Sequence, residues 1–352
     1  MVTLRRKASV LFLSSFVFLT PIDNSISFEK EYNDIGQATE ANLLESLSTI
    51  PLSRSKVNFS GNKVIFNIGS KQVNLINNNK LAIVKDNDKI TEYYFSEDFK
   101  LDDEYITFSK SQYNLLVNNI ECKDARRIRY GRAIDRVNHK DFINIYSDAD
   151  LNNYLTKVDV GSDVRIINTV LDGKFKVLTP DGKEGFVDTR FLRISDDNLP
   201  PALNDFIVDT DYVITISQDN QKMRVYKKDV DNYDIVKEFS VSTGMSSEHT
   251  PNGLFTVKQN RGPWFFSQKY NSGAKYFVEF RGNYLFHSIP FHEDQTVDYI
   301  EANKLGSKVS TGCIRLPVDD AKWIYDNMPA DTLVIIDNKD IDLNSVIKNK
   351  NI

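Results

Sequence analysis

Short runs of β-branched and apolar residues, each closed by a tight-turn pair, recur along most of this chain and confine it to a mainly β, multidomain architecture. Val64-Ile65-Phe66-Asn67-Ile68, Val73-Asn74-Leu75-Ile76 and Leu81-Ala82-Ile83-Val84 are separated by Gly, Asn and Lys turns. Further on come Ile143-Asn144-Ile145-Tyr146, Val164-Arg165-Ile166-Ile167, Gly173-Lys174-Phe175-Lys176-Val177 and Asp181-Gly182-Lys183-Glu184-Gly185-Phe186-Val187. Alternation of this kind describes strands half-buried on one face, and an Asp-Gly pair suits the tight turn of a hairpin. At 352 residues and 41% hydrophobic content there is material for two or three domains.

The rhythm divides the chain. Residues 1–27 read as a secretory signal peptide: Arg5, Arg6 and Lys7 precede an apolar run from Ala8 to Leu19, too short to span a bilayer, and Ser25-Ile26-Ser27 offers small residues for cleavage. The alternative is an uncleaved anchor. Residues 28–130 form an N-terminal region rich in strands and without an assignable role. It opens on a helical pattern from Phe28 to about Leu52, in which Ala41, Leu44 and Leu47 recur. Residues 137–194 read as a small barrel. Residues 195–208, with Pro200-Pro201 and a run of Asp, read as a stiff polar linker that few contacts should cross, so a chain begun near Asp196 should keep its chemistry. Residues 209–338 make the last domain. After Pro317, the spacing of Val318, Ala321, Ile324, Tyr325 and Met328 predicts a short helix.

Charge narrows the partners. The formal net charge is −5, and loss of residues 1–27 would leave the chain more acidic still. Phosphate binding needs clustered positive charge, so no nucleic acid is expected as partner. Arg126, Arg127, Arg129 and Arg132 form a local basic cluster that reads as a solvated linker, with binding to an anionic wall polymer as the lesser alternative. His139, His249, His287 and His292 lack the spacing of zinc motifs, and neither metal nor other cofactor is expected.

The chemistry points to Val309-Ser310-Thr311-Gly312-Cys313-Ile314-Arg315-Leu316-Pro317. Cys313 is one of two cysteines, set in a turn of small residues with a positive charge two positions on. Gly312 removes bulk beside the sulfur, so a carbonyl could reach the thiol and neighbouring backbone N–H groups able to bind an oxyanion. Tyr284-Leu285-Phe286-His287-Ser288 places a histidine at the end of an apolar strand-like run. Cysteine and histidine distant in sequence make the pattern of a thiol acyl-transfer enzyme. The spacing alone leaves a Cys122–Cys313 disulfide open.

Taken with His287-Ser288, the stretch Ser310-Thr311-Gly312-Cys313-Ile314-Arg315-Leu316 resembles the active-site motif of the L,D-transpeptidases, whose catalytic domain is of the YkuD type. Tyr212–Ser217 and Lys222–Tyr226 resemble that family's opening hairpin. Phe239-Ser240-Val241-Ser242-Thr243-Gly244 and Thr250-Pro251-Asn252-Gly253-Leu254-Phe255 resemble its two following signatures. The match runs from roughly Asp209 to Asp337. The barrel at 137–194 resembles bacterial SH3-like (SH3b) domains, with Phe186 where that family often has tryptophan; it reads equally as a rigid spacer or as a wall-peptide module.

The resemblance implies a small SH3-like barrel followed by a β-rich catalytic domain with a short helix after the catalytic cysteine. It implies Cys313 as nucleophile and free thiol, His287 as base, and Ser288 as the group that orients the imidazole through its carbonyl. Gly312, Thr311 and Arg315 would shape the oxyanion and substrate site, Arg315 as a carboxylate clamp or as a structural ion pair. A Cys313–His287 ion pair would keep a thiolate ready. His249 and His292 read as surface loop or rim residues, and Trp264, Phe265 and Phe266 mostly as core, with lining of the peptide groove as the lesser alternative. The implied reaction joins two peptidoglycan stem peptides, a donor tetrapeptide and an acceptor stem, in a 3-3 crosslink outside the cytoplasm, at the cell wall, with carbapenem β-lactams as covalent inhibitors. Alternatives are an L,D-carboxypeptidase, an enzyme attaching protein to the wall, or a wall-binding protein with a decayed site. Two departures bear on this: Thr311 stands where the family usually has histidine, and the segment from His287 to Cys313 is longer than usual.

Overall fold

The computed structural model describes residues 49–350, apart from 54–57, 61–62, 69, 77–79, 98–99, 102–104, 119–124, 136–139, 195–207 and 231. The expected signal peptide, Cys122, His139 and nearly all of the Pro200-Pro201 linker lie outside the described residues. The chain is mainly β and built from several sheets, and it divides into two units, one ending at Arg126 and the other beginning at Arg127.

In the first unit, five strands follow one another as hairpins: Asn58–Ser60, Lys63–Ile68, Lys71–Ile76, Leu81–Asp86 and Lys89–Phe95. Their alternate residues Val64, Phe66, Val73, Leu75, Ala82 and Val84 face Phe108 and the helix Lys110–Asn118, which contributes Leu115 and Leu116. The helical pattern expected as far as Leu52 does not extend that far. Thr49–Ser53 is an edge strand antiparallel to Tyr105–Ser109. Pro51 explains the change, because it has no N–H to give to a helix and is tolerated at a sheet edge.

The second unit opens with a seven-stranded antiparallel sheet in the order Tyr154–Asp159, Phe142–Tyr146, Glu184–Asp188, Lys174–Leu178, Asp163–Val170, Arg129–Ala133 and Leu192–Ile194. Its core is Ile143, Ile145, Val164, Ile166, Phe175, Val177 and Val187. Arg129–Ala133 pairs with both Asp163–Ile166 and Leu192–Ile194, so the sheet begins ahead of residue 137.

Two further sheets follow. The first runs Asn232–Ser240, Lys222–Asp229, Tyr212–Ser217, Leu333–Asp337 and Gly253–Thr256, with Tyr212–Ser217 parallel to Leu333–Asp337. The second runs Arg261–Ser267, Ser272–Arg281, Tyr284–Ser288 and Ile314–Leu316, its last pair parallel. The expected helix spans Val318–Asn327, starts after Pro317, and packs against Ser272–Arg281 and Tyr284–Ser288. Ala321, Ile324 and Met328 join Phe286, Ile314 and Leu316 in one core. Burying each of the larger of these side chains contributes about 1.5–3 kcal/mol.

The expectation that few contacts cross the linker is not met. Arg129 is buried and makes a two-pronged ion pair with buried Asp337, at 2.7 and 3.1 Å. The basic cluster is therefore not simply a solvated linker: one of its arginines fastens the seven-stranded sheet to the last strand of the next. Gly173 donates to the Leu254 carbonyl at 2.9 Å. A Cβ on Gly173 would lie 2.4 Å from the Phe255 ring, and φ there is +68°, so glycine lets the two segments meet.

Candidate active site

The parallel pairing of Tyr284–Ser288 with Ile314–Leu316 sets the site. Phe286 sits opposite Ile314, and His287 opposite Arg315. Side chains alternate across a strand, so Phe286, Ile314 and Leu316 enter the core beneath the helix, and Leu285, His287, Cys313 and Arg315 share the opposite face. Two segments 26 residues apart in sequence thereby bring thiol, imidazole and guanidinium to one surface. All three line a cleft of about 1480 Å³, with Phe265, Asn283, Tyr284, Leu285, Ser310 and Thr311 around them.

Each group is held by its surroundings. His287 Nδ1 lies 2.6 Å from the Ser288 carbonyl oxygen. A carbonyl only accepts, so Nδ1 carries the proton and Nε2 keeps the lone pair. Ser288 thus orients the ring through its backbone; its hydroxyl is taken up by the Lys275 N–H and the Ile289 carbonyl. The Phe265 ring meets the imidazole edge to face at 5.6 Å. Phe265 therefore stands at the cleft wall and not in the core, and Trp264 and Phe266 are likewise half-buried.

Cys313 is a free thiol, half-buried, 3.5 Å from the Asn283 carbonyl oxygen. Its turn is closed by Ser310, whose hydroxyl accepts from the Gly312 N–H at 3.0 Å and donates to the Cys313 carbonyl at 2.5 Å. Gly312 has φ of +114°, a conformation that side chains rarely adopt. Its N–H is already engaged, so its part in the site is to shape the turn and not to donate to an oxyanion. Thr311 is exposed at the rim of the cleft.

A second layer clamps this turn. Ser242 exchanges two backbone hydrogen bonds with Arg315, and Thr243 accepts from the N–H groups of Val309 and Ser310. Thr250 Oγ1 accepts from the Gly244 N–H at 2.8 Å and donates to the Gly312 carbonyl at 2.9 Å. The two signatures at 239–244 and 250–255 therefore act as one brace behind Cys313. The individual roles of Thr250, Ser310 and Gln221, which bonds both the N–H and the hydroxyl of Thr243, escaped the sequence reading. Small polar residues in signature runs were the available hint.

Electrostatics overturns one expectation. Burial pushes the Cys313 thiol pKa up, against the opposing pull of a hydrogen bond from the Leu285 backbone and of the Arg315 charge. Burial pushes His287 down to about 4; the bond to Ser288 works the other way, and Arg315 adds to the depression. The resting pair near neutral pH is neutral thiol and neutral imidazole, not a standing ion pair. Arg315 is itself bound to Glu301 at 3.0 Å, which is the structural ion pair among its two readings. His249 is buried, contrary to its reading as a surface residue, whereas His292 is exposed as expected.

Residues 211–336 match the YkuD family model, described as the L,D-transpeptidase catalytic domain. The match takes in a little over a third of the chain. Over 121 residues the chain is 43% identical to YciB, a candidate L,D-transpeptidase of Bacillus subtilis (strain 168); the match takes in 33% of this chain and 61% of YciB. It is similar to the crystal structure of a fused Zn-dependent amidase/peptidase/peptidoglycan-binding domain-containing protein from Clostridium acetobutylicum, at 34% identity and a TM-score of 0.31, over 38% of this chain and 55% of that one. Another similar structure is LD transpeptidase LdtMt1 in complex with imipenem, at 15% identity and a TM-score of 0.31, over 50% of this chain and 98% of that one. The chain thus spans somewhat over half the length of the first two relatives. Among the described residues no helix is long and apolar enough to cross a membrane.

Proposed function

We propose that this protein is a cysteine-dependent peptidoglycan L,D-transpeptidase that forms 3-3 crosslinks through a thioester. The observation that carries the reading is the placement of Cys313 and His287 on one face of adjacent parallel strands, with the imidazole locked in the tautomer whose Nε2 is basic. Nε2 takes the thiol proton as sulfur attacks the carbonyl of the third residue of a donor tetrapeptide. The tetrahedral oxyanion collapses, the amide bond breaks, and the imidazolium returns the proton to the departing D-alanine amine. The side-chain amine of an acceptor stem then attacks the thioester, loses its proton to Nε2, and releases the cysteine.

The YkuD match to residues 211–336 supports the reaction class. The same thiol would open a carbapenem ring and keep it as a covalent adduct. The proposal places the work outside the cytoplasm, at the wall, and gives the seven-stranded sheet the part of an SH3b-like module. Incubating the protein with purified disaccharide-tetrapeptide and reading product masses tests it. A crosslinked dimer that has lost one D-alanine is expected. Hydrolysed tripeptide alone would make the protein an L,D-carboxypeptidase; attachment of a protein amine would make it a wall-anchoring enzyme. No product and no carbapenem adduct would leave a wall-binding protein with a decayed site.

A further inference from the structure

The seven-stranded sheet sends a charged side chain into the catalytic cleft. Arg190 follows the strand Glu184–Asp188 and lines the cleft together with Arg281, from the end of the cleft strand Ser272–Arg281. Both arginines bond to one carboxylate: Asp188 accepts from Arg190 Nη2 at 2.8 Å and from Arg281 Nη2 at 2.6 Å. Arg281 Nη1 is used by the Gly173 carbonyl and the Thr189 hydroxyl. Arg190 Nε is also turned to Asp188, whereas its Nη1 has no partner among the described residues. Two guanidinium groups share a single carboxylate, so one positive charge is left unbalanced at the cleft wall. Arg190 is 40% exposed and can reach a ligand; Asp188, 8% exposed, is its buried brace. Burial works against the charge of Arg281, Asp188 supports it, and Arg190 opposes it, so a further anion here would relieve the pair.

The arginine pair and the thiol belong to one cleft. Arg281 is two residues from Asn283, whose carbonyl touches Cys313 Sγ. The chain turns tightly there, Arg281 pairing with Tyr284 across Gly282 and Asn283. Arg190, Arg281 and Cys313 line the same cleft, so one peptide lying in it can meet both the thiol and the arginine pair.

We propose that Arg190 and Arg281 form a carboxylate-binding subsite of the cleft, which selects a peptide donor bearing a free carboxylate beside the residue that acylates Cys313. The proposal rests on the peptide-acylation reading of the site, and it makes the seven-stranded sheet a contributor to substrate choice. Arg190 is the specificity residue; Asp188 is a positioning residue that fixes its fork.

The test separates this from the reaction itself by measuring binding in the Cys313→Ala protein, which cannot turn over. Calorimetric titration uses a free-acid stem tetrapeptide and the same peptide with its carboxylates converted to carboxamides. Arg190→Gln is expected to weaken the free-acid peptide about tenfold and to leave the amidated peptide within twofold. Arg190→Lys should recover part of the loss, and raising salt should weaken the free acid only. Equal affinities of parent and Arg190→Gln for the free acid, an equal loss for both peptides, or no binding of the free acid would each overturn the subsite. The binding difference without turnover by the wild type would overturn only the transpeptidase reading. Alkylation of Cys313 by neutral iodoacetamide in the Arg190→Gln protein with its cysteine restored should proceed at the parent rate, which confirms that the fold and thiol are intact.

Discussion

The five-stranded and four-stranded sheets share a core but differ in what they leave open. In the five-stranded sheet, Leu333–Asp337 is buried throughout and Tyr212–Ser217 from Val213 onward. Its polar ends are consumed: Asp337 by Arg129, Ser217 by the Asn338 carbonyl, and Gln218 by Thr250 and Asn252. In the four-stranded sheet, Arg261–Ser267 buries only Gly262, and Ser272–Arg281 mixes buried and half-buried positions. That sheet keeps one face on the helix Val318–Asn327 and gives the other to the cleft. The central strands of the five-stranded sheet, buried on both faces, supply stability, although its outer strand Asn232–Ser240 is mostly exposed. The four-stranded sheet, covered on one face, supplies chemistry. Substitutions in the open sheet should therefore change rates with little loss of stability, and substitutions in the closed sheet should do the reverse.

The largest expected effect tests the open sheet. Cys313→Ala should abolish carbapenem adduct formation, read by intact mass, while the thermal midpoint stays within about 2 °C, because only a half-buried sulfur is removed. Next comes the histidine. His287→Gln should slow acylation by about 10²–10⁴-fold, the usual contribution of a positioned base. His292→Gln, in an exposed turn, should stay within twofold. The reverse ranking would take the base away from His287.

The same contrast explains what was legible in the sequence. Cys313, His287 and the Ser288 carbonyl could be placed because the reaction needs those residue types in a turn and at a strand end. The helix after Pro317 followed from its 3.6-residue spacing. Arg129 was misread because four clustered arginines look solvated, and nothing local announces a carboxylate 208 residues away. The neutral resting state was missed for a related reason: burial sets it, and burial depends on how the whole domain packs. The bracing by Thr250 and Ser310 is a matter of hydroxyl direction, which residue type does not encode. Contacts across the 195–208 segment include the close approach at Gly173, which reads in sequence only as the start of a strand.

On the closed side, Arg129→Met should be the most damaging single change. It leaves Asp337 buried without its cation, and breaking such a pair costs about 3–5 kcal/mol. Chemical denaturation of the full chain measures it. Adding Asp337→Leu should recover much of the loss, since the second substitution removes the orphaned charge. A chain begun at Asp196 lacks Arg129 altogether and exposes the surface that Gly173 covers, so it should be less stable than the parent by at least as much. Wild-type stability in that fragment would show that the seven-stranded sheet is a detachable module.

His287 links the two sides through pH. In the unfolded chain its imidazole titrates near 6.5, and in the folded domain near 4. Between those values the unfolded state binds more protons, so stability falls as pH falls from about 6.5 to about 4 and is undiminished above that window. The full loss is about 3 kcal/mol. His287→Gln should flatten that part of the stability profile. Acylation by a carbapenem should stay base-competent down to about pH 5, well below the ordinary histidine range, and a rate falling already at pH 6.5 would contradict the buried neutral ring.

The smallest effect concerns the brace that joins the sheets. Thr250 Oγ1 accepts from the Gly244 N–H and donates to the Gly312 carbonyl, so one hydroxyl ties the loop after Asn232–Ser240 to the turn carrying the nucleophile. Thr250→Val keeps the volume and leaves both backbone groups buried without that partner, at a cost of about 1–3 kcal/mol. Because the Gly312 carbonyl belongs to the turn that carries the nucleophile, the Cys313 turn should also loosen and acylation should slow by about tenfold. The position of the pH limb should not move, since the hydroxyl touches neither thiol nor imidazole. Thr250→Ser restores the hydroxyl and should recover most of both effects. A Thr250→Val protein that loses stability but acylates at the parent rate would mean that the turn is held by Ser310 alone, and that the brace belongs to the closed sheet.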